Sequence, residues 1–337
     1  MTALLEVQDL RKTFTTKRTF GRASREVRAV NGVSFEVREG ETLGLVGESG
    51  CGKSTLARTL MFLEVPTEGE IRFKGKSVRE GDARSLRRSA QMVFQDPYTS
   101  LPPRMRIHRI VAEPLLIHGL GDPSEIDRTV EGLLGDVGLK SDLADKYPHQ
   151  LSGGQRQRVG IARALAVHPS LIIADEAVSS LDVSIQAQIL NLMKDLQRKH
   201  GLSYIFISHD LGVVRYMSHR IAVMYLGEIV EIADAADLYR RPLHPYTRAL
   251  MSATPSIKKK KGRIALEGEP PDPTRPPPGC EFHPRCPIAQ PVCRDDDPTL
   301  QEWLPDRLAA CHFALEDFDG VTTEQRPAAE GHEHDVG

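Results

Sequence analysis

Apolar and polar positions follow two different periods up to about residue 232. Val33, Phe35 and Val37 recur at every second residue, which predicts a strand with one buried face. Residues 42–46, 171–175 and 204–207 are nearly unbroken apolar runs, the pattern of strands covered on both faces. Between the last two runs, Ile185, Ile189, Leu192, Met193 and Leu196 fall on one helical stripe. Strands alternating with helices predict an α/β fold around a parallel sheet. Residues 96–147 carry helical patterns without a clear strand and read as a helical insertion. Beyond residue 233 the periodicity fails. A lysine run at 258–261 precedes a proline-rich stretch at 270–278 that excludes regular structure, and the tail from 316 sets seven acids against Arg326 and reads as disordered.

A length of 337 residues leaves room for about two domains at roughly 150 residues each. Lys plus Arg number 44 and Asp plus Glu 46, a net charge of −2, so the basic excess of nucleic-acid binders is missing and no nucleic acid is expected as a partner. No apolar run approaches the roughly 20 residues of a membrane span. Charges from Glu6 onward leave no apolar core for a signal peptide, and the chain reads as cytosolic. Five cysteines are unevenly placed: Cys51 stands apart, whereas Cys280, Cys286, Cys293 and Cys311 crowd the C-terminal part. A reducing compartment argues against disulfides, so the cluster needs another explanation.

The segment Gly47-Glu48-Ser49-Gly50-Cys51-Gly52-Lys53-Ser54 follows an apolar strand and opens a helix predicted through Leu56, Leu60 and Leu63. That context suits a phosphate-binding loop: glycines let successive N–H groups face a phosphate, Lys53 reaches the β- and γ-phosphates, and the Ser54 hydroxyl can ligate magnesium. Cys51 fills a variable position there as a small residue. Asp175 and Glu176 end the 171–175 strand at the edge where ligands of such sheets bind; one acid can hold magnesium and the other polarise an attacking water. Leu151-Ser152-Gly153-Gly154-Gln155 supplies a second glycine-rich anion site at a helix start.

With that pentapeptide, the sequence from about residue 4 to 232 resembles the ATP-binding cassette (ABC) family, whose signature motif it matches. The resemblance implies a phosphate-loop NTPase fold, with a core parallel sheet, an antiparallel β subdomain and a helical subdomain at about 96–165, within a cassette spanning 1–233. It implies that Gly47, Glu48, Ser49, Gly50, Cys51, Gly52, Lys53, Ser54 and Thr55 bind ATP, that Phe14 stacks on adenine, and that Ser54, Gln95 and Asp175 hold Mg2+. Glu176, Gln95 and His209 become the catalytic group and Asp182 the D-loop acid, while Leu151, Ser152, Gly153, Gly154 and Gln155 act on the ATP of a partner cassette. Alone, Gln95, His209 and Phe14 would read as ordinary polar or core residues; their order in the set changes that. Ala177 stands where the family usually has proline, which permits a looser loop, and Pro102 where close relatives tend to have asparagine. Since the chain carries one phosphate loop and one signature, a complete site requires a second cassette, identical or paralogous.

Residues 242–250 and 279–287 resemble the C-terminal extension of oligopeptide and dipeptide importer ATPases, giving an extension over 234–315 and a tail over 316–337. The implied function is ATP hydrolysis coupled to transmembrane import of peptides, at the cytoplasmic face of the cell membrane, with two permease subunits and an extracytoplasmic solute-binding protein as partners. A nickel or other small-solute importer ATPase and a soluble non-transport cassette ATPase are the alternatives. The gaps between the clustered cysteines, of five, six and seventeen residues, lack the paired knuckles of zinc sites. A [4Fe-4S] cluster, zinc and unliganded thiols stay open on spacing; the resemblance implies the cluster. His332 and His334 in the tail read as solvated.

Overall fold

The computed structural model describes residues 3–15, 26–252 and 268–316. The 258–261 lysine run and, apart from Glu316, the acidic tail with His332 and His334 lie outside the described residues. In chain order the elements are β1 (Ala3–Thr15), β2 (Glu26–Arg38), β3 (Thr42–Val46), α1 (Lys53–Leu60), β4 (Glu68–Phe73), β5 (Lys76–Val78), α2 (Ala83–Ser89), β6 (Ala90–Val93), α3 (Pro97–Ser100), α4 (Ile107–His118), α5 (Pro123–Asp136), α6 (Gly153–Leu165), β7 (Leu171–Asp175), α7 (Val183–His200), β8 (Ser203–Ile207), α8 (Leu211–Met217), β9 (Arg220–Tyr225), β10 (Glu228–Asp234), α9 (Ala235–Arg240), α10 (Pro245–Ser252), α11 (Val292–Asp295), β11 (Gln301–Leu304) and β12 (Arg307–Ala309).

The strands form two sheets. One is antiparallel, in the order β2-β1-β4-β5; the other runs β11-β12-β10-β9-β3-β8-β7-β6 and is parallel from β9 to β6. Every residue of β3, β7 and β8 is buried, as their apolar runs predict, because both sheet faces are covered. Alternate side chains sort into separate cores. Leu171, Ile173, Ile205 and Ile207 join Val7, Leu10, Val30 and Leu56 beneath the antiparallel sheet, whereas Ile172, Ala174, Tyr204 and Phe206 face the helices, among Val159, Ile189 and Val214. A Cβ on Gly44 would lie 2.5 Å from Val214 Cγ1, so glycine lets α8 close on β3. Residues 97–165 contain helices and turns but no strand. The helix after the phosphate loop ends sooner than its leucines predict: Phe62 takes a left-handed φ of 51°, and Leu63 lies beyond the turn, half exposed.

The C-terminal extension continues the main sheet instead of packing as a separate body. The β11–β12 hairpin pairs antiparallel with the edge of β10. On β10, the buried carboxylate of Glu231 accepts N–H bonds from Leu243 (2.8 Å) and His244 (2.9 Å), fixing the entry to α10. Burial raises the Glu231 carboxyl and pushes the His244 imidazole down to about 3. Phe282 then closes an aromatic group, with ring centroids 5.4 Å from Tyr225 and 5.5 Å from Tyr246. This hairpin escaped the sequence reading, because its strands of four and three residues are too short to show a period.

Truncating Phe282 to Ala empties the centre of this group and is expected to cost about 3–5 kcal/mol. Equilibrium denaturation followed by the fluorescence of Trp303, the single tryptophan, measures it; an unchanged midpoint would show that the aromatic group does not anchor the extension. A second prediction concerns pH. Burial pushes the Glu228 carboxyl from 4.5 up to about 7, with Asp297 adding to the rise and Asn31, Arg11 and Arg28 opposing it. Glu281 is pushed to about 8 by burial and then by Glu228. An acid whose folded pKa is raised binds its proton more tightly in the native state, so its stabilising contribution is complete below about 4.5 and fades as pH rises through about 7. Glu228→Gln is therefore expected to flatten the fall in melting temperature between pH 5 and about pH 8, and identical slopes for the two proteins would refute the assignment.

Candidate active site

Four neighbouring parallel strands, β3, β8, β7 and β6, deliver the phosphate loop, His209, Asp175 with Glu176, and Gln95 at their C-terminal ends. The loop takes its path because two glycines reach conformations closed to other residues. Gly47 has φ 155° and a Cβ there would lie 2.2 Å from the Met224 carbonyl oxygen; Gly52, with φ 108°, would meet the Ala29 carbonyl oxygen at 2.1 Å. Lys53 is buried, and its ammonium donates to the carbonyls of Gly47 and Glu48 at 2.8 Å each. Cys51 is buried beside it and burial raises its thiol, consistent with a packing role. The Ser54 hydroxyl donates to Asp175 Oδ1 at 3.1 Å. Burial raises the Asp175 carboxyl against the lowering effect of Ser54.

Glu176 is the meeting point of the remaining groups. Its φ of 48° is left-handed, and its N–H donates to the Ile207 carbonyl at 3.0 Å, tying the end of β7 to β8. One carboxylate oxygen, Oε2, accepts from Gln95 Nε2 at 3.0 Å and lies 3.3 Å from His209 Nδ1. Where proline is replaced, Ala177 is buried, and the turn is held by Ser179, whose N–H and hydroxyl both donate to the Glu176 carbonyl, at 3.1 and 3.0 Å. Ser180 adds a bond to the Gln95 carbonyl at 3.4 Å.

A cavity of about 350 Å³ opens above the loop, lined by Ser49, Gly50, Cys51, Gly52, Lys53, Ser54, Thr55, Gln95 and Glu176. Its other walls come from Val27, Arg28, Ala29, Leu226, Gly227 and Pro273, none of which belongs to a nucleotide-binding motif of the sequence. Phe14 is not among the lining residues; it pairs across β1–β2 with Val27, which is, and its ring lies 38% exposed under the Lys12 ammonium. Leu151, Ser152, Gly153, Gly154 and Gln155 are also absent from the lining. Ser152 caps α6, exchanging bonds with Gln155 in both directions, and Gly154 packs where a Cβ would meet Ile185 at 2.6 Å. Asp182 sits exposed at the start of α7. A larger cavity of about 740 Å³, near Lys74, Arg88, Arg128 and His168, contains none of these residues.

The oxygen pair Ser54 and Asp175 at the loop fits Mg2+, a hard cation that keeps most of its ligands from water and phosphate. For an iron–sulfur cluster the residues do not fit. Cys280, Cys286, Cys293 and Cys311 do share one neighbourhood: the Cys280 N–H donates to the Cys293 carbonyl at 3.0 Å, and the other three thiols add to the rise at Cys311. Yet among the described residues no group of three or more His, Cys, Asp or Glu is arranged to hold a metal ion. Burial pushes the Cys280 and Cys311 thiols up to about 12.

Fold and site together define a phosphate-loop nucleotide-binding cassette. The ABC transporter family matches residues 30–179, and the family described as "Oligopeptide/dipeptide transporter, C-terminal region" matches residues 230–293. The chain is 51% identical to the oligopeptide transport ATP-binding protein AppF of Bacillus subtilis, over 92% of this chain and 97% of that one. It is 50% identical to the oligopeptide transport ATP-binding protein OppF of Escherichia coli, over 88% and 92% of the two chains. With the di/tripeptide transport ATP-binding protein DppF of Pseudomonas aeruginosa it shares 48% identity over 93% and 98%. Among solved structures, the ATP-binding cassette MJ0796, described as a dimer bound to ADP and Pi, superposes with a TM-score of 0.61 and 30% identity, over 68% of this chain and 98% of that one. The chain belongs to the ABC transporter family, in the group of ATP-binding subunits that carry the oligopeptide/dipeptide transporter C-terminal region. Among the described residues no helix is long and apolar enough to cross a membrane.

Proposed function

We propose that this chain is the ATP-hydrolysing subunit of a peptide importer, docked on the cytoplasmic side of permease subunits that carry the membrane spans. The observation that carries the reading is the convergence of Gln95 and His209 on one oxygen of Glu176, beside the loop cavity. In the proposed mechanism, loop N–H groups and the α1 N-terminus hold the phosphates, and the Lys53 ammonium exchanges its two carbonyl partners for phosphate oxygens. Ser54, Asp175 and Gln95 would hold Mg2+, which would supply charge neutralisation at the phosphates. Gln95 and His209 orient the Glu176 carboxylate through Oε2, leaving Oε1 to accept a proton from the attacking water. Phe14, paired across the β1–β2 ladder with the cavity-lining Val27, supplies an aromatic face toward the base.

A second cassette completes the site. None of residues 151–155 lines the cavity of its own chain, whereas Val183, beside Asp182, is 82% exposed on the surface such a partner would cover. The permease surface is assigned to the exposed apolar residues Phe94 and Tyr98 near Gln95 and Leu116 and Ile117 at the end of α4. The names of the relatives and the matched C-terminal region support peptides as the cargo, imported through the permeases with an external solute-binding protein as a further partner.

Glu176→Gln is expected to lower kcat by about a hundred- to ten-thousandfold while leaving ATP affinity within a few fold; an active variant would remove Glu176 from the catalytic role. ATPase rate per chain is expected to rise with protein concentration, and full activity from a demonstrated monomer would overturn the shared site. Co-purification with permease chains and ATP-dependent peptide uptake in vesicles test the transport assignment. Uptake of nickel or another small solute in place of peptide, or ATPase activity stimulated by DNA without permeases, would replace it.

A further inference from the structure

The phosphate loop is gripped from outside the cassette core. Arg285 lies on the turn His283–Arg285, between Cys280 and Cys286, and its two terminal nitrogens hold the Glu48 carboxylate at 2.7 and 3.0 Å. The guanidinium is buried, at 4% exposure, and the carboxylate is 24% exposed. The two residues are 237 positions apart. Glu48 is fixed at two further points. Its backbone N–H donates to the Tyr246 hydroxyl at 2.8 Å, and its carbonyl is one of the two acceptors of the Lys53 ammonium. Phe282, three residues before Arg285, packs edge-on to Tyr225 and Tyr246, so the turn is anchored where it grips the loop. Pro273, from the same extension, lines the cavity itself.

A carboxylate at the second position of a loop that receives a polyanion is unfavourable unless its charge is neutralised and its direction fixed. A bidentate guanidinium does both. We propose that Arg285 is a positioning residue of the phosphate loop: from the C-terminal extension it neutralises Glu48, turns its carboxylate away from the phosphates and holds the backbone segment that carries the Lys53 acceptor. The extension is then a working part of the nucleotide site. The proposal rests on residues 47–55 being the ATP site, and its test separates the two.

The test is calorimetric titration of the full chain with Mg·ADP, with steady-state ATPase kinetics alongside. Arg285→Ala is expected to weaken ADP binding at least about tenfold and to raise KM for ATP while kcat stays within about threefold. Adding Glu48→Gln to Arg285→Ala removes the stranded charge and is expected to restore most of the affinity, which a purely structural role for Arg285 would not allow. Arg285→Lys keeps the charge without the fork and is expected to fall between wild type and the Ala variant; it carries the test where the Ala variant does not fold. Wild-type affinity in both Arg285 variants, or a double variant that binds no better than Arg285→Ala, would overturn the proposal. Lys53→Ala serves as the control: undiminished ADP binding there would overturn the loop assignment itself.

Discussion

The active site depends on the parallel register of four strands. Leu45 of β3 pairs with Ile207 of β8, and Ile207 in turn pairs with Asp175 of β7, so three chain segments leave the sheet at one level. The bond from the Glu176 N–H to the Ile207 carbonyl carries that level into the loops. A slip of one residue in any of these strands would exchange its two buried faces and turn the acids away from the cavity. The register is protected because both faces are full: odd and even positions of β7 and β8 enter separate cores, and neither set tolerates the other's place.

The extension bears on that site in two ways, sheet continuity and charge. The β11–β12 hairpin covers the β10 edge, and the aromatic group around Phe282 holds the cysteine-bearing turns against β9. Several acids gather where the extension meets β10. Glu228, Glu281 and Asp297 all have raised carboxyls, and Glu231 is buried beneath two N–H donors. Such groups are stable neutral or fully bonded, which ties the docking of the extension to protonation and to the Arg285–Glu48 pair. The four cysteines sit in this layer, Cys293 and Cys311 buried and Cys280 and Cys286 partly so, and burial raises the Cys280, Cys286 and Cys311 thiols.

Much of the core was legible in the sequence, for reasons the structure makes plain. A strand covered on both faces must be apolar throughout, so residues 42–46 and 171–175 were visible as runs. A phosphate loop needs glycines at fixed offsets, and Gly47 and Gly52 stand where a Cβ would strike a carbonyl at 2.2 and 2.1 Å. Short or irregular elements were not legible. The hairpin of the extension has too few residues for a period, and the early stop of α1 rests on a left-handed Phe62 that no spacing announces.

The sequence by itself determined which groups are available: the phosphate loop, the acids Asp175 and Glu176, Gln95, His209 and the signature at 151–155, each marked by residue type at a local spacing. Tertiary structure decided which of them meet. It places Gln95 and His209 on the same oxygen of Glu176, leaves the signature and Phe14 out of the cavity lining, and brings Pro273 and Arg285 from the extension to the loop. The division has a physical cause. Local spacing encodes backbone conformation and one-sided burial, which repeat every two or 3.6 residues. A contact across 237 residues leaves no period in the sequence, and only the packing of the whole chain can select it.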